Sequence, residues 1–394
     1  NNNKIKNILG DYGKNKGRGN FGKIKALNNL SNETLLLQND KLKSFAHSCY
    51  KNVSLKNLLN LSGFNKKNYL DLVKERNLPN EFILEMLLQF IKSNQNEFKQ
   101  FVIMKNKLEE HFLRSEFSQA INSLKVIEEK FGKSIWSIDV DMAIASTQKK
   151  TENKERFIDD SSPQLYHITN YLYNKHTSHS ALSFKQKSKV NIIDSIRINS
   201  SRKNYADFLS LLLLPFGMDN VRSLDNIIQY SQKLFPVDKY VFIRKAISEH
   251  VANKISNNSL VENNIKQFVI SMAELDIDDS WKGMANVINN KPLTNTDFKV
   301  QDIIISYTEG DYESVIAKCK EYFALHPRQL ILIDVLARSI IFAKKQKAYF
   351  DNINNNDIYG VLLTNLIKQY QYTEQYQSSI EVIEDISFKL SCFN

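Results

Sequence analysis

The sequence predicts an all-α protein, an irregular α-solenoid of helical pairs that follows a basic N-terminal arm. Only 11 glycines and 6 prolines occur in 394 residues, and five of the glycines lie within the first 22 positions. Tight turns in sheet proteins need residues that tolerate positive φ, so this depletion favours helices joined by short polar loops. After residue 32, apolar residues recur at helical spacing, and three segments share one helical pattern.

Residues 1–32 differ in composition from the rest of the chain. Their basic residues outnumber the single acid Asp11 and give a net charge of +6, and glycines interrupt any regular pattern. This predicts a flexible basic arm, because glycine adds conformational freedom and lysine attracts acidic partners. The residues expected to contact a protein partner or phosphate are Lys14, Lys16, Arg18, Lys23 and Lys25.

The arm contains a glycine triplet, Gly17, Gly19 and Gly22, with the G-x-G-x-x-G spacing of phosphate-binding loops. A dinucleotide site also needs a strand before the triplet and an acidic residue about twenty positions later. A protein kinase would need H-R-D and D-F-G sequences downstream, and neither string occurs in the chain. We therefore interpret the triplet as part of the arm and predict no cofactor.

The rest of the chain is predicted to form two helical domains, over residues 33–146 and 165–394. Residues 147–164 are charged, lack periodicity and end in a Ser-Ser-Pro signal, which is typical of a linker or long loop. The clearest single helix is predicted over 79–93, where Pro79 stands near the first turn and Glu81 and Glu85 lie toward the N-terminal end.

Three segments can be aligned without gaps: residues 115–124, 310–319 and 374–383. Each has an aromatic residue, a smaller residue three positions later, an isoleucine next, and an apolar residue three positions beyond. The smaller residues are Ala120, Val315 and Ser379. This pattern predicts one face of a helix with a small residue where another helix approaches closely.

The middle copy resembles a tetratricopeptide repeat, a pair of helices of about thirty-four residues. Gly310, Tyr312 and Pro327 stand where that pattern expects them, although the expected tryptophan is missing. The resemblance covers residues 302–338 and extends more weakly to 97–146 and 360–390. It implies a stack of helical pairs whose concave face binds peptides or protein partners, and it implies no catalytic chemistry.

Arg244 and His250 fit the loose spacing of ribonucleases of the HEPN type, in which such a pair polarises an RNA phosphate and 2′-hydroxyl. Residues six apart lie about 240° around a helix, so the two side chains could meet only across a dimer or a bend. A solvated helix face is the alternative interpretation of the same residues, and it is the one we favour.

Other polar residues suggest no complete site. His176 with His179, and His47 with Cys49, have metal-like spacing, but neither pair has a third ligand nearby in the sequence, so we predict no metal site. Asp139 and Asp141 are interpreted as the polar side of an otherwise apolar helix.

A second basic cluster runs from residue 175 to 203 and also carries a net charge of +6. Nearby aromatic residues make it a possible site for single-stranded nucleic acid, and a solvated face is the alternative. The candidate residues for nucleic-acid binding are Lys185, Lys187, Lys189, Arg197, Arg202 and Lys203. However, the chain has 43 Lys and only 10 Arg, which argues against sequence-specific reading of DNA.

The three cysteines, Cys49, Cys319 and Cys392, are odd in number and far apart, which predicts small buried thiols and a reducing, cytoplasmic location. The longest apolar run, 208–217, is about half the length of a bilayer span, so no membrane segment is predicted.

These observations predict a non-enzymatic adaptor that binds a protein partner or associates with itself. Its composition suggests AT-rich coding, from which we expect a microbial accessory protein of a defence or mobile-element locus. The alternative is a nucleic-acid-binding or RNA-cleaving effector that uses the basic clusters 4–25 and 175–203.

Overall fold

The computed structural model describes residues 2–9, 20–37, 39–59, 61, 64, 78–113, 116–148, 163–177, 224–232, 234–256, 259–289, 295–325 and 331–343. Over these residues the fold is all-α, with sixteen helices and no β-strand, which confirms the predicted fold class. That the helices stack as an irregular solenoid stays a prediction, and the third aligned segment, 374–383, lies outside the described residues.

The helices of the described residues follow one another in this order: α1 (Asn2–Leu9), α2 (Asn20–Leu35), α3 (Asn39–Tyr50), α4 (Val53–Leu58), α5 (Asn80–Ser93), α6 (Gln95–Leu113), α7 (Phe117–Phe131), α8 (Ile135–Thr147), α9 (Pro163–Thr177), α10 (Leu224–Ser231), α11 (Pro236–Ser256), α12 (Asn263–Glu274), α13 (Asp279–Ile288), α14 (Asn295–Thr308), α15 (Tyr312–Leu325) and α16 (Ile331–Phe342).

Helix α5 confirms the clearest sequence prediction. Pro79 occupies its N-cap position and Glu81 lies in the first turn, as expected from the fixed φ of proline and the preference of acids for helix N-termini. Its apolar residues, among them Phe82, Met86 and Phe90, are buried. The 3.6-residue period of the sequence thus places this helix with one apolar face in the core.

Helices α6 and α7 form an antiparallel hairpin. The rings of Phe112 and Phe117 lie 6.0 Å apart beside the connecting turn, and the rings of Phe101 and Phe131 lie 5.5 Å apart toward its other end. Ala120, the small residue predicted at a close helix approach, is fully buried on α7.

An aromatic cluster joins this hairpin to α8 and α11. The ring of Phe101 lies 5.3 Å from that of Trp136 on α8 and 6.3 Å from that of Tyr240 on α11. Phe98 lies 5.2 Å from the same tyrosine. Aromatic contacts, of which the two made by Phe101 are edge-to-face, stabilise a core beyond the area that they bury. Here they join α6 to α11, more than a hundred residues away in sequence.

The main hydrophobic core does not divide at the predicted linker. One cluster of buried residues runs from Ile5 to Ala285. Polar contacts also cross the boundary: Asn80 donates to Asp225 of α10 over 2.6 Å, and Asn264 of α12 donates to Glu81 over 3.0 Å. The main core thus contains residues of both predicted domains, 33–146 and 165–394, and the domain division itself stays a prediction. Most of the predicted linker 147–164 lies outside the described residues, between the end of α8 and the start of α9.

Two groups satisfy the free backbone amides at the N-terminus of α8. Ser134 and Ser137 form a capping box. The buried carboxylate of Asp238, in the first turn of α11, accepts hydrogen bonds from the amides of Ile135 and Trp136, each at 3.0 Å. The first amides of a helix have no partner within it, so this carboxylate ties the start of α8 to α11.

Helices α14, α15 and α16 have a core cluster of their own, built from residues such as Val315, Cys319 and Leu336. The turn between α14 and α15 follows the predicted Gly-Asp sequence. Gly310 has φ +79, and the amides of Gly310 and Asp311 donate to the carbonyl oxygens of Tyr307 and Ser306. This is the Schellman pattern, which favours glycine at the left-handed position.

The structure differs from the predicted flexible arm over part of residues 1–32. Residues 2–9 form α1, and α2 begins at Asn20, so that Gly22 of the triplet lies within a helix. Ile5, Ile8 and Leu30 are buried in the main core, because apolar residues recur at helical spacing here in spite of the lysines. Residues 10–19, with Lys14, Lys16 and Arg18, lie outside the described residues.

The glycine at the α14–α15 turn permits a matched test. At both Gly310 and Gly283 an added Cβ would meet no atom within 4 Å, but only Gly310 has positive φ. We expect Gly310→Ala to lower the free energy of unfolding by about 1 kcal/mol, because L-residues are strained in the left-handed region. Gly283→Ala, inside α13, should raise it by about 0.5–1 kcal/mol. Urea denaturation measures both changes, and equal signs would contradict the conformation of Gly310.

Asp238 provides a second test. Asp238→Ala leaves two buried amides without an acceptor, so we expect a loss of about 2–4 kcal/mol in the free energy of unfolding. Asp279→Ala is the control, since the side chain of Asp279 is 97% exposed, and it should change little.

The effect of Asp238 should also depend on pH. Burial raises the pKa of Asp238 to about 7, although the amides of Trp136 and Ile135 act to lower it. The folded protein therefore holds a proton at Asp238 that the unfolded chain releases near pH 4, so ionisation costs stability as pH rises. The stability advantage of the wild type over Asp238→Ala should thus shrink between about pH 4 and pH 7. A constant difference across that range would show that the carboxyl is already ionised at pH 4.

Candidate functional site

The part of the chain that resembles a helical repeat forms a three-helix unit, α14–α16. Lys318 of α15 lies 2.8 Å from the carboxylate of Asp302 on α14. At the other end, the ring of Tyr312 lies 5.9 Å from that of Tyr307 on α14 and 5.0 Å from that of Phe342 on α16. Helix α15 therefore runs antiparallel to both neighbours, as in stacked helical pairs.

The inner face of this unit matches the pattern that the sequence predicted. Val315 occupies the small-residue position, and Cys319 lies three positions after the aligned isoleucine Ile316. Both side chains are fully buried. On α7, the aligned residues Ala120 and Leu124 are buried as well. In both described copies, the aligned positions thus face a neighbouring helix.

Three large apolar side chains of the unit are exposed to solvent. Ile303 is buried, but Ile304 and Ile305, the next two residues of α14, are 44% and 52% exposed, and Phe342 at the end of α16 is 53% exposed. A single exposed apolar residue is ordinary. Two adjacent isoleucines on one helix, in a unit that also exposes a phenylalanine, make this unit a candidate binding surface; Leu35 and Leu36, at the end of α2, are a second adjacent exposed pair.

The structure does not bring the two ribonuclease-type residues to a common site. Arg244 bonds Asp278 at 3.0 Å and Ser280 at 3.2 Å, whereas His250 lies 2.6 Å from Glu262. Burial acts to raise the pKa of Asp278, but the charge of Arg244 and the hydrogen bonds from Ser280 lower it below its usual value. Arg244 and His250 thus each pair with a different carboxylate, so this geometry does not support the RNA-cleaving arrangement.

The histidine that was considered as a metal ligand instead joins two helices. His176 of α9 lies 2.6 Å from Asp139 of α8, and Lys175 donates to the same carboxylate at 3.0 Å. Burial acts to raise the pKa of Asp139, but Lys175 and His176 together lower it well below its usual range. Asp139 therefore lies under α9 and not on a solvated face. His179 lies outside the described residues.

The other histidine–cysteine pair is also separated. His47 lies 3.3 Å from Gln89 on α5, while Cys49 is fully buried, and burial raises the pKa of its thiol to about 12. The thiol of Cys319 is buried too, with its pKa raised to about 12 for the same reason. Both thiols are the small buried groups that the sequence predicted, and Cys392 lies outside the described residues.

Two lysines of the basic clusters form ion pairs in the described part of the chain. Lys4 pairs with Glu33 at 2.8 Å, and Lys175, which begins the second cluster, is only 3% exposed and bound to Asp139. Lys25 is exposed on α2. The six candidate residues of the second cluster, Lys185, Lys187, Lys189, Arg197, Arg202 and Lys203, lie outside the described residues. The side chain of Lys23 is likewise not described.

One cavity of about 20 Å³ lies among α4, α5, α10 and α11 and is lined mainly by apolar side chains such as Leu78, Phe82 and Met86. It has room for about one water molecule, far less than a metabolite needs. Within the described ranges, no three His, Cys, Asp or Glu side chains converge as metal ligands. None of the described helices combines the length and apolar character needed to cross a bilayer.

Comparison of the chain with protein-family profiles, with curated proteins and with solved structures gives no match. The tetratricopeptide-like character of residues 302–338 therefore rests on their own sequence and on the helix–turn–helix geometry around Gly310.

Asp238 and Asp278 each form hydrogen bonds between helices, but neither residue was identified from the sequence. Asp278 does carry a local signal, since an aspartate before a helix is a common N-cap, and its side chain accepts from the amide of Ser280 at 3.0 Å. Nothing in the sequence near Asp238 indicates that it caps a helix 103 residues away. Such pairings depend on tertiary packing.

The ion pair between Arg244 and Asp278 is expected to serve stability. Both side chains are about 15% exposed or less, so Arg244→Ala would leave a largely buried carboxylate without its partner. We expect the free energy of unfolding to fall by about 2–4 kcal/mol. His250→Ala is the control: its partner Glu262 is 45% exposed, so the loss should stay below about 1 kcal/mol. Equal losses in urea denaturation would contradict the assignment.

Proposed function

We propose that this chain is a non-enzymatic helical scaffold that binds a protein partner through the three-helix unit α14–α16. The observation that carries the proposal is the exposure of Ile304 and Ile305 on α14. In stacked helical pairs, each pair buries only one side by itself and leaves the other for the next pair or for a partner. The adjacent exposed isoleucines of α14 are what we expect on a side that a partner covers.

The use of charged groups also favours binding over catalysis. Asp238, Asp278 and Asp139 each connect two helices in the described part of the chain, so these carboxylates hold the fold together. None of them lines the cavity of about 20 Å³. A catalytic site requires reactive groups at a cleft that admits substrate, and these groups do not meet that requirement.

A nucleic-acid-binding function is the alternative, based on the net charge of +10. The pairing of Lys4 with Glu33 offsets the charge of one candidate cation, and the burial of Lys175 against Asp139 removes another from the surface. The case for nucleic-acid binding is therefore weaker than the case for binding of a protein partner, and photo-crosslinking distinguishes the two functions.

Photo-crosslinking tests the proposed surface directly. A photoreactive phenylalanine analogue replaces Ile305 in the full-length chain, which is expressed in the cells that naturally produce it. The matched control carries the analogue at Ile103 of α6, which is 66% exposed. We expect a protein adduct at position 305 and none at position 103, because specific partners contact only the unfilled apolar side. Nucleic-acid adducts in place of protein, or no adduct at position 305, would contradict the proposal.

The affinity of the crosslinked partner supplies the quantitative check. The double substitution Ile304→Ser with Ile305→Ser should weaken binding by at least about tenfold, since each isoleucine contributes of order 1 kcal/mol when its exposed half is buried. Ile103→Ser should leave the affinity unchanged. If the adduct contains only a second copy of the chain, the same variants are tested on self-association by sedimentation.

A further inference from the structure

Helix α9 is attached to α8 through a compact group of three titratable side chains. Asp139 of α8 receives hydrogen bonds from Lys175 at 3.0 Å and from Nε2 of His176 at 2.6 Å. The side chains of Lys175, His176 and Asp139 are only 3%, 2% and 13% exposed. The two neighbouring residues of α9 therefore both bind one carboxylate of the facing helix.

The charge of this group depends on the histidine. With a neutral imidazole, the group contains one ammonium and one carboxylate, so its net charge is zero. With a protonated imidazole, two cations would share one carboxylate with little water to solvate the excess charge. Burial lowers the pKa of His176, which outweighs the opposite effect of Asp139, and Lys175 lowers it further.

Other titratable groups reach α8 at its N-terminal turn. Glu128 of α7 accepts from Ser137 at 2.7 Å, and Asp238 of α11 accepts from the amides of Ile135 and Trp136; Asp141 lies on α8 itself. Among the described residues, Asp139 and Lys175 are the charged groups that act on His176. The state of the imidazole is thus governed by the two residues that it contacts across the α8–α9 interface.

We propose that Asp139, Lys175 and His176 form an acid-sensitive latch, in which protonation of His176 releases α9 from α8. The released helix exposes the imidazole and the ammonium to water, where both charges are solvated. The sign follows from linkage: the released state binds a proton below about pH 6.5 and the latched state resists it, so acidification favours release. At neutral pH the imidazole is uncharged in both states and the latch stays closed.

Hydrogen exchange of the full-length protein tests the latch. Protection factors, which remove the intrinsic effect of pH on exchange, are measured for the amides of α9 at pH 7, 6 and 5. We expect protection in α9 to fall by up to about tenfold for each pH unit below about 6.5, since one proton is taken up on release. Protection in α12, which does not contact the group, should not follow this slope. A parallel fall in α9 and α12 would indicate global unfolding and overturn the proposal.

Two variants and one titration complete the test. His176→Gln keeps an N–H donor for Asp139 but cannot titrate, so the pH slope of α9 should disappear. His111→Gln removes a histidine that pairs with Glu116 elsewhere and should preserve the slope. If His176→Gln does not fold, the NMR titration of His176 in the wild type decides: a pKa at or above that of a free imidazole would overturn the proposal.

Discussion

The buried carboxylate of Asp238 binds the N-terminus of α8 to α11, two helices that are 103 residues apart at the point of contact. Around it, Trp136 of α8 and Tyr240 of α11 both pack against Phe101 of α6. A helix as apolar as α8 must be buried on nearly all sides, and its free amides then need a partner that is also buried. Asp238 supplies that partner, so the packing of α6, α7 and α11 around α8 depends on it.

Two groups that hold α8 in place have pKa values that are shifted in opposite directions. Burial raises the pKa of Asp238 at its first turn, while burial lowers the pKa of His176, which reaches Asp139 one turn further along. The burial cost of ionising Asp238 lowers the free energy of unfolding as pH rises, whereas in the proposed latch protonation of His176 releases α9 as pH falls. The two groups therefore give opposite pH dependences.

The distribution of polar and apolar groups has a consequence for function. The described carboxylates with the most contacts lie between helices, whereas the apolar residues Ile304, Ile305 and Phe342 remain at the surface of α14–α16. Buried ion pairs cost desolvation, and in some proteins they fix one arrangement of the packed elements. The exposed apolar side chains of α14–α16 are the basis on which we propose the scaffold function.

The fold class was readable from the chain because glycine depletion and helical periodicity are local properties. Helix α5, the buried thiols of Cys49 and Cys319, and the turn at Gly310 were also predicted from local sequence. The turn depends only on the conformation of one residue and its neighbours. The N-terminal segment was predicted to be a flexible arm because its lysines and glycines masked the helical spacing of Ile5 and Ile8, which are buried in the main core.

Pairings between distant residues could not be read in this way. Asp139 with His176, Arg244 with Asp278, and Asp238 with the start of α8 each join different helices, and no local pattern encodes which carboxylate a given cation or amide will meet. The joining of the buried residues from Ile5 to Ala285 into one cluster could not be read from local sequence for the same reason. Local sequence fixes where helices form, because their hydrogen bonds are made within a few residues, whereas side-chain packing over long separations selects their partners.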